Sequence, residues 1–409
     1  MSNIGEDGDL NDHGFRASDN QGARGDFLSS LAKAGRPSYA EIDLSAISRN
    51  IHKWKDMLNR GGGRRLMAVV KANAYGHGVL PVASRVLEAG ADWLGVALPQ
   101  EALELREAGV AAPVMILGYT EPESYGRLIE AGIRMTVFSL SQGEALAAAA
   151  REAGQKAKVH LKVDTGMGRI GFLPGRQAEA EIKTLADMEW LELEGCFTHF
   201  ARADEDDEES WRGQFEMFRS FLDKLRGSGV ALPIAHCANT AAGMRDAEAM
   251  MDMWRVGIGV YGLYPSAQAR AWGVIDLQPA LSWKSVLSHV KLIPPGWGVG
   301  YGHTWIAEKE TLIGTAPVGY ADGYSRSLRN KARALVGGKR VPVVGSVCMD
   351  QIMLDLTEVP GARPGDEVVL LGRQGDAEVG ADELAELLGT SCYEIACVTG
   401  NRLPKRYVG

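Results

Sequence analysis

Apolar residues recur three and four apart at Leu44, Ile47, Ile51, Trp54 and Leu58, the spacing of a helix with one buried stripe. A short strand-like segment containing Tyr39 and Ile42 precedes it, so ordered sequence is expected from Ser38. Downstream, short apolar runs alternate with helical stretches. The runs are Leu66–Val70, Trp93–Val96, Val114–Leu117, Met135–Phe138, Val159–Val163, Leu191–Phe197, Ile234–Cys237 and Trp254–Val256. Between them lie helix-like stretches such as Pro99–Ala108, Ser141–Ala153, Ala178–Met188 and Gln214–Arg226. Eight strands alternating with helices predict an α/β fold, a (β/α)8 TIM-type barrel, with an open doubly wound sheet as the alternative. The count of eight favours the barrel, and so does the placing of polar residues, because barrel chemistry sits at the C-terminal ends of strands. Lys71 follows the first run, Asp164 the fifth, His199 the sixth and Asn239 the seventh, while Arg255 lies within the eighth.

After about Leu277 the pattern changes. Val286–Leu292, Leu312–Pro317, Ala334–Val336, Val341–Val344, Gln351–Asp355 and Glu367–Leu371 are short strand-like stretches separated by Gly, Pro and Asp, with one late helix at Ala381–Leu388. This predicts a mostly β C-terminal domain. The chain is thus read as a disordered, Gly/Asp/Ser-rich tail over 1–36, a barrel over 37–277 and a β domain over 278–409, with 37–47 free to pair with the β domain.

Composition narrows the function classes. The 409 residues are 45% hydrophobic and 23% charged, enough for a large core without disulfide staples. With 44 basic against 52 acidic residues the net charge is −8, which argues against a nucleic-acid partner. Five scattered cysteines form no C-x-x-C pair, so neither a disulfide framework nor a zinc site is expected. No apolar run approaches the roughly 18 residues of a membrane span, and the polar, acidic start is no secretory signal. A cytoplasmic location is the expectation.

Several segments carry chemistry. In Val69–Gly78 a lysine, Lys71, ends a buried strand, with Tyr75 close behind. Most strand-end lysines are merely solvated, but one desolvated in a barrel mouth has a lowered pKa and can bind an aldehyde covalently. In His160–Gly171, Lys162 and Asp164 share one side of an alternating strand and a glycine-rich turn presents Arg169. Thr198-His199 ends the sixth strand. Asn239-Thr240 reads first as a helix N-cap, whose free N–H groups also suit an anion. Arg255, inside an apolar run, must be paired or contact a ligand. Loops after strands seven and eight often bind phosphate, which Thr240 with the Gly257-Ile258 backbone suits. In the β domain Tyr301 stands between glycines, Cys348-Met349-Asp350-Gln351 interrupts the pattern before a strand, and Tyr393 follows the late helix.

Together these segments resemble the alanine racemase family, pyridoxal 5′-phosphate enzymes of barrel-plus-β-domain type, from about Ser38 to Tyr407. The resemblance implies that Lys71 carries the cofactor, that Tyr75, Thr240, Gly257, Ile258 and Tyr393 line its phosphate, and that Asn239 belongs to the cofactor-binding set. It implies that Arg255 faces the pyridine nitrogen with His199 beside it. It also implies that Arg169 contacts the phenolic oxygen and that Lys162 stands where relatives can carry a carbamylated lysine orienting that arginine. Lys71 and Tyr301 would be the two catalytic bases, one for each face of the substrate, with Arg169, Met349 and Asp350 near its carboxylate. In the family Tyr301, Met349 and Asp350 reach the other subunit's site, implying a homodimer with shared active sites that makes D-alanine for peptidoglycan. The chain departs from the family at Thr240, where serine is common, and at Lys405, where arginine is frequent. A broad-specificity amino-acid racemase is the nearest alternative. A pyridoxal-phosphate decarboxylase is disfavoured, because those enzymes set a carboxylate where Arg255 stands.

Overall fold

The computed structural model describes residues 36–59, 62–399 and 402–409, and the reading of 1–36 as a disordered tail falls almost wholly outside them. The expected opening strand is β1 (Tyr39–Asp43). Eight strands then run parallel: β2 (Arg65–Val69), β3 (Trp93–Val96), β4 (Val114–Ile116), β5 (Met135–Val137), β6 (Ala157–Lys162), β7 (Leu191–Phe197), β8 (Ile234–His236) and β9 (Met253–Val256). They pair in the orders β4-β3-β2-β9 and β5-β6-β7-β8. A parallel bridge from Met115 to Arg134 joins the two sets on one side. On the other side the Asp252 N–H donates to the Ala235 carbonyl at 3.0 Å and the Arg255 N–H to the Ala238 carbonyl at 3.2 Å. The ring is therefore a closed barrel, with helices between its strands.

The strands read as continuous apolar runs because a barrel strand is covered on both faces. Outside, the helix Leu44–Asn59 buries Ile47, Ile51, Trp54 and Leu58, each worth about 1.5–3 kcal/mol. The Trp54 indole N–H donates to the Gly259 carbonyl at 3.1 Å, and its ring meets Trp254 edge-on at 5.1 Å. Inside, Met67, Trp93, Met115, Phe197, Ile234 and Met253 form a separate apolar cluster. The helix expected over Gln214–Arg226 begins earlier, at Glu208, because Asp207 caps it through the Ser210 N–H and two glutamates fill its first turn. That polar first turn carries no apolar period to reveal it.

The remaining strands are β10 (Leu281–Val286), β11 (His289–Ile293), β12 (Gly298–Val299), β13 (Trp305–Ile306), β14 (Thr311–Ala316), β15 (Arg333–Val336), β16 (Lys339–Val344), β17 (Ile352–Asp355), β18 (Glu367–Gln374), β19 (Ala377–Val379) and β20 (Lys405–Val408). A ten-stranded sheet runs β11-β14-β17-β16-β15-β18-β10-β1-β20, with β19 on β18. The opening strand β1 lies in this sheet, antiparallel to β10 and parallel to β20. The single strand expected over Val286–Leu292 is two strands. The chain turns at Leu287-Ser288, whose N–H groups donate to the Asp366 and Thr315 carbonyls, and no Gly or Pro marks the break. Among the described residues no helix is long and apolar enough to cross a membrane.

Candidate active site

Just after β2 the backbone does something rare. Ala72, Asn73, Ala74 and Tyr75 have φ of 53, 52, 54 and 51°. This left-handed turn costs L-residues roughly 1–2 kcal/mol each, and strain of that kind collects at functional sites. It is held by the Ala74 N–H to the Val70 carbonyl at 2.8 Å, the Gly78 N–H to the Asn73 carbonyl at 2.9 Å and the Val79 N–H to Asn73 Oδ1 at 2.7 Å. Lys71 opens the turn and is half-buried. Burial, with help from Arg169, lowers its pKa below the ordinary lysine value, and Glu101 opposes them.

The turn carries Tyr75 to the backbone after β9. A Cβ at Gly257 would stand 2.9 Å from Tyr75 Oη, so only glycine leaves that space open. The Gly257 N–H donates to Thr240 Oγ1 at 3.1 Å, and Tyr393 lies 6.3 Å from Tyr75 between ring centroids. Asn239 serves as the N-cap expected of it, accepting from the Ala242 N–H at 2.9 Å. The hydroxyls of Tyr75 and Tyr393 have no hydrogen-bond partner among the described residues, nor does the Ile258 N–H. Burial raises the pKa of both phenols, so they remain donors. The site thus gathers donors around an open glycine.

Arg255 enters the same mouth, buried and protonated. Burial lowers its pKa to about 10, still above neutrality. Its Nη1 donates to His236 Nδ1 at 2.9 Å. Its Nη2 donates to the carbonyls of Thr198 at 2.8 Å and Cys237 at 3.0 Å and lies 3.3 Å from His199 Nδ1. A guanidinium has five N–H donors. The Nε–H and one Nη1 hydrogen therefore have no partner among the described residues. Burial, then Arg255, Arg169, Lys162 and Lys71, push the His199 pKa well down, so this ring is neutral in an electropositive mouth.

Lys162 and Asp164 do not pair with each other. Lys162, fully buried, donates from Nζ to the Val163 carbonyl at 2.7 Å. Burial first, and Arg255 next, bring its pKa to about 8. Asp164 shapes the turn instead, accepting from the N–H groups of Gly166, Met167, Gly168 and Arg169 at 2.9–3.2 Å. The Arg169 side chain is exposed and makes no hydrogen bond or ion pair among the described residues.

The β-domain residues sit on one exposed loop cluster. Tyr301 is 72% exposed and Met349 51%. The Tyr301 carbonyl accepts from Ser346 Oγ at 2.8 Å, and the Met349 carbonyl accepts from the Ala321 N–H at 3.1 Å. Asp350 accepts from Arg402 Nη2 at 2.8 Å. Among the described residues no hydrogen bond, ion pair or ring contact joins Tyr301, Met349 or Asp350 to Lys71.

Beyond Arg255 three side chains meet that carried no signal in the sequence, His236, His160 and Glu194. His160 Nδ1 lies 2.8 Å from His236 Nε2, and Glu194 Oε2 lies 3.3 Å from His160 Nε2. The histidines sit on different strands far apart in sequence, so only the closing of the barrel brings them together.

Residues 42–265 match the family model "Alanine racemase, N-terminal domain" and residues 280–407 "Alanine racemase, C-terminal domain". An alanine racemase from Desulforamulus reducens is 46% identical over 373 residues, 91% of this chain and 99% of the relative. One from Symbiobacterium thermophilum is 46% identical over 374 residues, 91% and 98%. Among solved structures, alanine racemase of Clostridium difficile 630 superposes with a TM-score of 0.87 at 38% identity, covering 92% of this chain and 97% of the other. That of Bacillus anthracis with bound L-Ala-P gives 0.86 at 38%, covering 91% and 95%.

Proposed function

The chain belongs to the alanine racemase family, and from that premise we propose that it interconverts L-alanine and D-alanine with pyridoxal 5′-phosphate seated at the barrel mouth. One observation carries the reading: Lys71, its pKa lowered by burial, opens a strained turn that delivers Tyr75 to a set of partnerless donors. The Tyr75 and Tyr393 hydroxyls, Thr240 and the Gly257-Ile258 backbone would hold the phosphate, and Asn239 fixes the turn that bears Thr240. The unpartnered hydrogens of Arg255 suit a ring nitrogen that accepts, and His199 lies beside that arginine.

When bound, the cofactor supplies an aldehyde that captures the amino group of alanine and a conjugated ring that acidifies its Cα hydrogen. Lys71 covers one face of Cα and moves a proton to or from its Nζ. A single base does not reach both faces, so the opposite face is assigned to the Tyr301 hydroxyl. Since Tyr301, Met349 and Asp350 are exposed and, among the described residues, share no hydrogen bond, ion pair or ring contact with Lys71, we assign them to the mouth of a second copy, in a homodimer with shared sites. Met349, Asp350 and Arg169 would lie near the substrate carboxylate. Arg255 does not give up its proton, so it would hold the ring nitrogen without protonating it, an arrangement that would favour prompt return of a proton to Cα over transamination. Lys162 is assigned as a carbamylation site: a pKa of about 8 leaves neutral amine to react with carbon dioxide, and the product would face an Arg169 that has no anion of its own. The D-alanine would serve peptidoglycan synthesis in the cytoplasm.

The test is direct. Purified protein given single L-amino acids should take L-alanine to zero optical rotation and should bind pyridoxal 5′-phosphate with a visible absorbance band. Colourless protein that takes up no cofactor, or turnover of lysine or arginine but not alanine, would overturn the reading.

A further inference from the structure

A line of polar side chains crosses the inside of the barrel away from the mouth. Arg255 Nη1 meets His236 Nδ1 at 2.9 Å, His236 Nε2 meets His160 Nδ1 at 2.8 Å, and His160 Nε2 meets Glu194 Oε2 at 3.3 Å. Arg134 closes the line from the other side, donating from Nε to Glu194 Oε2 at 3.0 Å and from Nη2 to Oε1 at 3.2 Å. These hydrogen bonds have only one consistent direction. A guanidinium donates and never accepts. His236 Nδ1 must therefore accept, which puts its one hydrogen on Nε2 and makes His160 Nδ1 the next acceptor. The hydrogen of His160 is then on Nε2 and points at a carboxylate. Both rings are fully buried and their pKa values are lowered by burial, so each is neutral. Glu194 is ionised: burial would raise it, but the hydrogen bonds from His160 and Arg134 hold it at about 2.

The surrounding strands are built for this line. In the β6–β7 pairing Val159 faces Leu193 and His160 faces Gly195, so Glu194 is an extra residue on β7. A bulge re-aims a side chain, here toward His160. A Cβ at Gly195 would stand 2.5 Å from His160 Nδ1, so the ring occupies the space a side chain would take. Phe197 stacks on His236 at 4.8 Å and 3° and lies 5.4 Å beneath the Arg255 guanidinium, fixing both in plane.

We propose that Glu194 is a positioning residue for Arg255: by accepting from His160 it locks both histidines as Nε2–H tautomers, and His236 then holds the guanidinium with its free hydrogens toward the cofactor ring. The orientation toward the cofactor rests on the proposed function; the tautomers do not. Without the Glu194 acceptor the hydrogen of His160 can move to Nδ1. His236 must then shift its own hydrogen to Nδ1, which meets the arginine donor to donor.

The test uses protein labelled with 15N in the histidine rings, with and without pyridoxal 5′-phosphate. Two histidines protonated at Nε2 are expected in both forms from pH 6 to 9. Glu194→Leu should lose that pattern, shift the absorbance band of the holoenzyme and lower kcat by about 10–100-fold, the range for losing an outer partner of a site residue, with KM for alanine moving less than kcat. Glu194→Gln keeps an acceptor oxygen and should restore the tautomers and most of the rate. Hydrogen on His236 Nδ1 in the wild-type protein would overturn the proposal without any variant. So would a Glu194→Leu holoenzyme with unchanged tautomers and band. Failure of the wild-type protein to bind cofactor would count against the proposed function alone, since the tautomers are read in the cofactor-free protein too.

Discussion

The imidazole of His160 fills the space where a side chain at Gly195 would begin, 2.5 Å from Nδ1 to the position of the missing Cβ. A real Cβ essentially never comes so close, and backbone also crowds the position, the Ile234 carbonyl lying at 2.6 Å. Gly195→Ala is therefore expected to destabilise the protein by about 1–3 kcal/mol, the ordinary cost of overpacking. Chemical denaturation checks this through a lower midpoint at unchanged slope; an unchanged midpoint would mean the ring relocates freely.

Lys71→Ala removes the only amine at the opening of the left-handed turn. Borohydride reduction of the wild-type holoenzyme should fix cofactor mass on the peptide bearing Lys71, and the variant should show no such mass. Labelling at Lys162 instead would move the assignment to that lysine.

Tyr301→Phe should keep cofactor uptake and lose turnover by about 10²–10⁴-fold, the size of a missing acid–base group. The phenol is 72% exposed, so the fold should tolerate the change. Wild-type rates in both directions would remove Tyr301 from the chemistry.

Mixing Lys71→Ala and Tyr301→Phe chains tests whether sites are shared. If each site takes Lys71 from one protomer and Tyr301 from the other, half of randomly exchanged dimers carry one intact site. About a quarter of wild-type activity should then return. No recovery after demonstrated subunit exchange would place both residues on one chain's site.

In carbon dioxide-free buffer, where Lys162 carries a free amine, stability should depend on pH through Lys162. Burial and Arg255 bring its folded pKa to about 8, while the unfolded lysine titrates near 10.4. Between those values the unfolded chain binds more protons, so stability rises as pH climbs through that window. Lys162→Met should remove roughly 1–3 kcal/mol of that rise. Denaturation midpoints at pH 7.5 and 10 for the two proteins decide it; identical pH slopes would show that the amine is not paying a burial penalty.

Much of this was legible in the sequence because barrel strands announce themselves. Leu191–Phe197 and Trp93–Val96 have the bounds their apolar runs predict, and Lys71 and Arg255 lie where polar residues meet those runs. What alternation conceals is any break in its own period. In β7 a strict period of two puts Glu192 and Glu194 on one face, but the extra residue in the register sends Glu194 to His160. The turn at Leu287-Ser288 is hidden similarly, because apolar residues resume at Val290 and Leu292 with no Gly or Pro between. Tyr301 is singled out only by its glycine neighbours and its resemblance to family members, because among the described residues no hydrogen bond, ion pair or ring contact connects it to the barrel.

The opening strand β1 is flanked by β10 and β20, with Glu41 opposite Ser282 on one edge and Arg406 on the other. On the ribosome this segment emerges early and waits without a neighbour while the entire barrel is translated. Its edge is open to wrong partners for that interval. Once Lys405–Val408 arrives, the first and last described elements lock side by side, so a nascent chain halted before that point keeps a raw edge that proteases and chaperones can recognise.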